Sequence, residues 1–119
     1  MPKSSTRCLL FLVVSVLVLV AAPSWADQFY VVVYVEVQPA QAQHGAHVLD
    51  DLAAVAQASG AIDFNVLRQI DRNNFFALFE IWSSEDAYQA FKTSAASVLS
   101  ALQPLLGAPL DERPGTLIK

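Results

Sequence analysis

The sequence has one cysteine, Cys8. A lone thiol cannot close a disulfide within the chain, and there is no cysteine cluster to hold zinc. Histidine is nearly as scarce, with His44 and His47 the only two. Basic residues are few: seven Lys and Arg face eleven Asp and Glu, for a formal net charge of -4. No run of basic residues supplies the electrostatic footprint that nucleic acid demands. The polybasic patch that attracts anionic lipid is missing too. Internal repeats, linkers and low-complexity segments are also absent.

What is present begins with an export signal. Lys3 and Arg7 give a positive start, residues 8–22 are an apolar run broken by Ser15, and Pro23 ends any helix. Ser24 and Ala26 put small residues at the −3 and −1 positions of a cleavage site. A membrane-spanning helix needs roughly 20 apolar residues, more than this run has. A lipid-attachment reading fails because Cys8 precedes the apolar run. The expectation is cleavage after Ala26, leaving residues 27–119 as one exported domain, periplasmic or secreted. Cleavage removes Cys8, and with it all thiol chemistry. It also removes Lys3 and Arg7, leaving five basic residues against eleven acidic ones, a net charge of −6. A domain of this size has a modest core, and pairing with a second copy would add stability.

The mature part reads as strand, helix, two strands, helices and a last strand. Residues 29–38, FYVVVYVEVQ, are β-branched and aromatic, which favours a strand. Residues 40–59 read as a helix, with Val48, Leu52 and Val55 at helical spacing and Gly60 as its stop. Residues 62–71 and 74–82 form a hairpin, with Arg72 and Asn73 as the turn. Ser83 or Ser84 caps a helix to about Lys92, with Glu85 and Asp86 in its first turn. A further helix spans residues 94–106, residues 109–114 form a loop, and residues 116–118 a short final strand. The order βαββαβ is α+β and ferredoxin-like.

If Asp71 pairs with Asn74, alternation along the strands divides the hairpin. Phe64, Val66, Arg68, Phe75, Phe79 and Ile81 then share one face. Asn65, Leu67, Leu78, Glu80 and Trp82 share the other, the one assigned to the helices. Two helices cover only one face of a four-stranded sheet, so the first face is left as a wet apolar patch. A homodimer formed sheet to sheet would cover it.

The stretch GAIDFNVLRQIDRNNFFALFEIW at residues 60–82, with SSEDAYQAF after it and PLLGAPLDER later, resembles the antibiotic biosynthesis monooxygenase (ABM) family. That resemblance implies a dimeric α+β barrel. It also implies oxidation of phenols or naphthols by molecular oxygen without metal, flavin or haem, with the small aromatic substrate held between sheet and helices. In the actinorhodin-type oxygenases of this superfamily a Trp at this strand end and a Tyr on the following helix line the site. Trp82 and Tyr88 match that pair, while Leu78 stands where those enzymes carry an Asn. The haem-degrading branch of the superfamily takes a histidine ligand from the second helical region. This chain has no histidine beyond His47, and Phe91 and Ala101 fall near the positions of the Trp and His of those enzymes.

The residues fit such chemistry in part. Glu80 falls on the helix-covered face, where a carboxylate is expensive unless paired and where burial raises its pKa, as a general base for a phenol needs. It is otherwise a structural carboxylate bonded to Asn65 or to backbone. Trp82, two residues on, either packs against a substrate ring or fills the core. Tyr88 would hydrogen-bond the ring oxygen. Asn65, on the neighbouring strand, and His44, near the start of the first helix, are expected at the border of the same pocket. His44 and His47 lack a third ligand, so no metal site is expected. On this reading the domain is a cofactor-independent monooxygenase. The rivals are a binding or stress protein without turnover on the same fold, and a purely structural dimeric module.

Overall fold

The computed structural model describes residues 27–119, and the export signal expected over residues 1–26 lies outside the described residues. The chain forms β1 (Phe29–Glu36), α1 (Ala42–Ala58, entered through a 3-10 turn at Pro39–Gln41), β2 (Asp63–Arg68) and β3 (Phe75–Trp82). Next come α2 (Glu85–Ser94), α3 (Ala96–Leu102, continued by a 3-10 turn at Gln103–Leu105) and β4 (Asp111–Gly115). The four strands make one antiparallel sheet in the order β2-β3-β1-β4, the ferredoxin-like arrangement. The helices lie on one face. No helix among the described residues is long and apolar enough to cross a membrane.

Local chemistry explains most boundaries. α1 buries Val48, Leu49, Leu52 and Ala56, a stripe at helical spacing. It stops at Gly60, whose φ of 85° is open to glycine and costly for other residues. Ala61 N–H then reaches Ala56 O at 3.0 Å and Gly60 N–H reaches Gln57 O at 3.1 Å, satisfying carbonyls that the helix end would orphan. Ser84 Oγ caps α2 by accepting from Ala87 N–H at 3.1 Å. Between sheet and helices, Val31, Val33, Val35 and Val37 of the β1 segment meet Leu49, Leu52, Phe91 and Leu102 in one core.

Two expectations from the sequence are corrected. The hairpin register is shifted by one residue: Asp63 pairs with Ile81, Phe64 with Glu80 and Asn65 with Phe79. The cause is Asn74, which turns inward instead of pairing with Asp71. Its Nδ2 donates to Val37 O at 2.9 Å, and its own carbonyl accepts Val37 N–H at 2.8 Å. A longer loop, closed by Phe75 N–H to Arg72 O, replaces the tight turn. A one-residue slip reverses which side each residue of a strand faces. Phe64 and Val66 therefore join Phe76, Leu78, Glu80 and Trp82 under the helices, while Asn65 and Leu67 move to the open face.

The last strand is also displaced. β4 is Asp111–Gly115, where a loop was expected, and residues 116–118 are not a strand. It pairs with β1 from Tyr30 opposite Gly115 to Tyr34 opposite Asp111. Pro114 is tolerated because β4 is an edge strand. The uncovered face of the sheet carries Tyr34, Leu67 and Phe79, which are 45%, 53% and 41% exposed. A groove of about 580 Å³ crosses this face between Tyr34, Leu67, Phe75 and Ala77. The expected wet apolar face thus exists, with Leu67 in it and Phe64 and Val66 out of it.

α1 sits close to the sheet because Gly45 faces Val37. A Cβ at Gly45 would lie 2.8 Å from Val37 Cγ2 and 2.9 Å from Cγ1, and Val37 is fully buried. Replacing glycine by alanine in an open helix interior adds roughly 1 kcal/mol of stability. Here overlap with a stiff β-branched side chain, costing about 1–3 kcal/mol, reverses the sign. Gly45→Ala should lower the urea midpoint, and a raised midpoint would show that Val37 yields freely.

Candidate functional site

The helix-covered face of the sheet holds one buried carboxylate. Glu80 sits on β3 between Val31 of β1 and Phe64 of β2, and is 3% exposed. Trp82, two residues on and therefore on the same face, donates its indole N–H to Glu80 Oε1 at 3.0 Å. The indole is fully buried. Its ring is stacked on Phe91 of α2, with centroids 4.7 Å apart and planes 24° apart. The Trp82 ring thus packs against the protein's own phenylalanine, and its polar edge holds Glu80.

Tyr88 reaches the same region from α2. Its ring is 6.2 Å from that of Trp82 and 5.5 Å from that of Phe29. Its hydroxyl donates to Glu112 Oε1 on β4 at 2.9 Å. Lys92, one turn further along α2, approaches Glu112 Oε2 at 3.3 Å and lies 5.2 Å from the centre of the Tyr88 ring. Glu80, Tyr88, Lys92 and Glu112 line a cavity of about 20 Å³, otherwise walled by apolar residues such as Val33, Leu52, Leu99 and Leu102. That is the room of about one water molecule.

The electrostatics of the two inner groups follow from depth. Loss of solvent pushes the Glu80 carboxyl up from 4.5 to about 7; the charge of Glu112 adds to the rise, while the Trp82 N–H and Lys92 oppose it. Tyr88 is held well above the usual tyrosine range by burial, by its hydrogen bond to Glu112, and by the charges of Glu112 and Glu80. At neutral pH Glu80 is thus close to half ionised, while Tyr88 keeps its proton. With that proton directed at Glu112, the Tyr88 oxygen is left as an acceptor. A carboxyl poised near neutrality can both take and give a proton.

The structure brings Glu80, Trp82 and Tyr88 together and leaves Asn65 and His44 out. Asn65 is exposed on the open face opposite Phe79, a consequence of the shifted register, so it does not meet Glu80. His44 is exposed on α1 and lies outside the cavity wall, because the buried stripe runs through Gly45, Val48 and Leu49. His47 is exposed as well, 3.3 Å from the Gln43 side chain. Among the described residues, no three His, Cys, Asp or Glu side chains are grouped as metal ligands. The sequence reading missed Glu112 and Lys92. The spacing of Tyr88 and Lys92, one helical turn apart, was visible, but Glu112 lies on a strand read as loop.

The profile of the family described as Antibiotic biosynthesis monooxygenase matches residues 28–98, most of the described domain. No curated protein matches the chain. Among solved structures, a Caulobacter crescentus protein named for the same family is 21% identical with a TM-score of 0.71, over 80% of this chain and 93% of that one. SnoaB, a cofactor-independent oxygenase from Streptomyces nogalater, is 21% identical with a TM-score of 0.68, over 79% of this chain and 96% of that one. A conserved protein from Methanosarcina mazei is 16% identical with a TM-score of 0.71, over 77% and 94% of the respective chains. At these identities the likeness establishes the fold.

Glu80 makes stability depend on pH with a defined sign. The unfolded chain releases this proton near 4.5 and the folded chain near 7. Between those values the folded state binds more protons, so stability is fully present below 4.5 and falls as pH rises through 7. The loss from this one group is of the order of 3 kcal/mol. Glu80→Gln, which mimics the protonated carboxyl, should match the parent near pH 4.5 and exceed it in stability near pH 8. Urea unfolding across this range checks it; parallel profiles for the two proteins would show that Glu80 does not carry the effect.

Proposed function

Because the chain belongs to the antibiotic biosynthesis monooxygenase family, we propose that it is a cofactor-independent monooxygenase of a small phenolic or quinol substrate. The observation that carries this reading is the buried Glu80 carboxyl, poised near neutrality and lining one cavity with Tyr88 between sheet and helices. Such a group takes the proton of a phenol. The ionised ring then passes one electron to oxygen, the two radicals combine at a ring carbon, the resulting peroxide takes the proton back from Glu80, and loss of water leaves a quinone. One oxygen atom ends in the product and the other in water, and all electrons come from the ring. The protein supplies proton transfer, orientation and exclusion of water. Trp82 fixes the Glu80 carboxyl through its N–H, and the Tyr88 oxygen meets the ring oxygen.

The cavity has room for about one water, so a ring is admitted only as its wall moves aside. That closed state also favours a rival reading, a structural dimeric module without turnover, since a binding protein needs the same room for its ligand. Oxygen uptake by the protein with a panel of quinols and naphthols separates the two. With a competent substrate, Glu80→Gln should slow oxidation by roughly 10² to 10⁴, the usual contribution of a general base, while circular dichroism stays unchanged. Turnover by the variant at the parental rate would make Glu80 structural.

The same reading places the mature domain outside the cytoplasm, on the strength of residues 1–26, and pairs two copies through the open sheet face. Tyr34, Leu67 and Phe79 form a patch of the kind that interfaces cover. Light scattering should return twice the monomer mass. Phe79→Asp, which sets an unpaired charge in that interface, should return the monomer mass. A parental protein that is monomeric at micromolar concentration removes this assembly.

A further inference from the structure

Glu80 is sealed from bulk solvent, so any proton it exchanges with the medium needs a path through the protein. On the same face of the sheet, Glu112 of β4 has a side chain 39% exposed. β1 runs between β3 and β4, and on this face it presents Val31 and Val33, which have no polar side-chain atom. Two strand spacings, about 10 Å, separate the strands that carry the two carboxylates. Tyr88 enters from the helix layer. It lines the same cavity as Glu80, and its hydroxyl already donates to Glu112. The cavity has the volume of one water and polar side chains around it, which is what a bridging water requires. α1 and α3 contribute only Leu52, Leu99 and Leu102 to its wall, so Lys92 is the one further charged group facing it.

We propose that Tyr88 and Glu112 form the proton exit of the buried site. A proton released by Glu80 passes to a water in the cavity. That water gives a proton to the Tyr88 oxygen as Tyr88 gives its own to Glu112, and Glu112 releases it to solvent. Each step moves one proton along a hydrogen bond; no electrons move and no bond to carbon changes. The hydroxyl then turns back to Glu112 and the relay is reset. The raised pKa of Tyr88 fits this order, since accepting and giving the proton together avoids a tyrosinate. Lys92, 3.3 Å from Glu112, holds the outer carboxylate beside the hydroxyl. The proposal rests on the reading of Glu80 as proton acceptor, but its test needs no substrate.

Trp82 provides the signal, because its N–H is bonded to Glu80. In the full chain carrying Trp25→Phe, Trp82 is the sole indole. Its fluorescence is followed by stopped flow after a jump from about pH 5 to about pH 8, across the ionisation of Glu80. Glu112→Gln and Tyr88→Phe should each slow the relaxation by about tenfold or more, with a retained amplitude. Added imidazole, a small proton carrier, should restore the rate in Glu112→Gln. Should Tyr88→Phe fail to fold, Glu112→Gln decides alone, since Glu112 is exposed on an edge strand. Relaxation at the parental rate overturns the proposal, as does a slowed rate that imidazole leaves untouched. A parental Trp82 signal that ignores pH also overturns it, for Glu80 then has no proton to pass. A protein that passes this test yet oxidises no quinol keeps the relay and loses the oxygenase reading.

Discussion

Two hydrogen bonds between Asn74 and Val37 decide where the residues of β2 point. They fasten the start of β3 to the end of β1, and Asn74 is buried, at 8% exposed. A buried amide left without a partner costs about 1–3 kcal/mol, so Asn74 does not swing out to close a tight turn. The hairpin closes through a longer loop and β2 slides by one residue against β3. Phe64 then turns inward, where its ring meets Phe91 at 5.9 Å, and Leu67 turns outward. The contents of both faces, and so the surroundings of Glu80, descend from that choice of partner.

The elements that were legible in the sequence are those whose signals are local. The β-branched run of β1, the spacing of Val48 and Leu52, the stop at Gly60 and the cap at Ser84 each lie within a few residues of what they specify. The register does not, because it turns on a bond between residues 37 apart in sequence. β4 was illegible for another reason. Its sequence, DERPG, is exposed throughout and has no apolar alternation, so only pairing with the free edge of β1 makes it a strand. The more strand-like residues 116–118 lie beyond that pairing.

The candidate site divides along the same line. Glu80 and Trp82 share a face by simple alternation on β3, and Tyr88 follows on the next helix, so these three were readable together. Asn65 was placed with them by a register that assumed a tight turn. His44 was placed there by its distance along α1 from Val48, but its neighbour Gly45 is the residue that faces the sheet. Glu112 stayed out of view because its strand did, although it holds the proton of Tyr88 and completes the cluster.

A core built for stability alone would not carry Glu80. An aliphatic residue there would spare the loss of solvent that dominates the carboxyl's ionisation. The neighbours relieve that penalty only in part. Trp82 supports the ionised form through its N–H, and Glu112 resists it by charge. Lys92 sides with Trp82, the loss of solvent outweighs both, and the carboxyl settles near 7. Depth does the rest. The sheet sets one carboxylate under α2, cut off from bulk water, and another on its edge strand in contact with water, with a tyrosine hydroxyl bonded to the outer one. A buried group that ionises near neutrality is costly by itself and useful only if protons reach it. Tyr88, lining one cavity with Glu80 and bonded to Glu112, meets that condition within a core that has room for about one water.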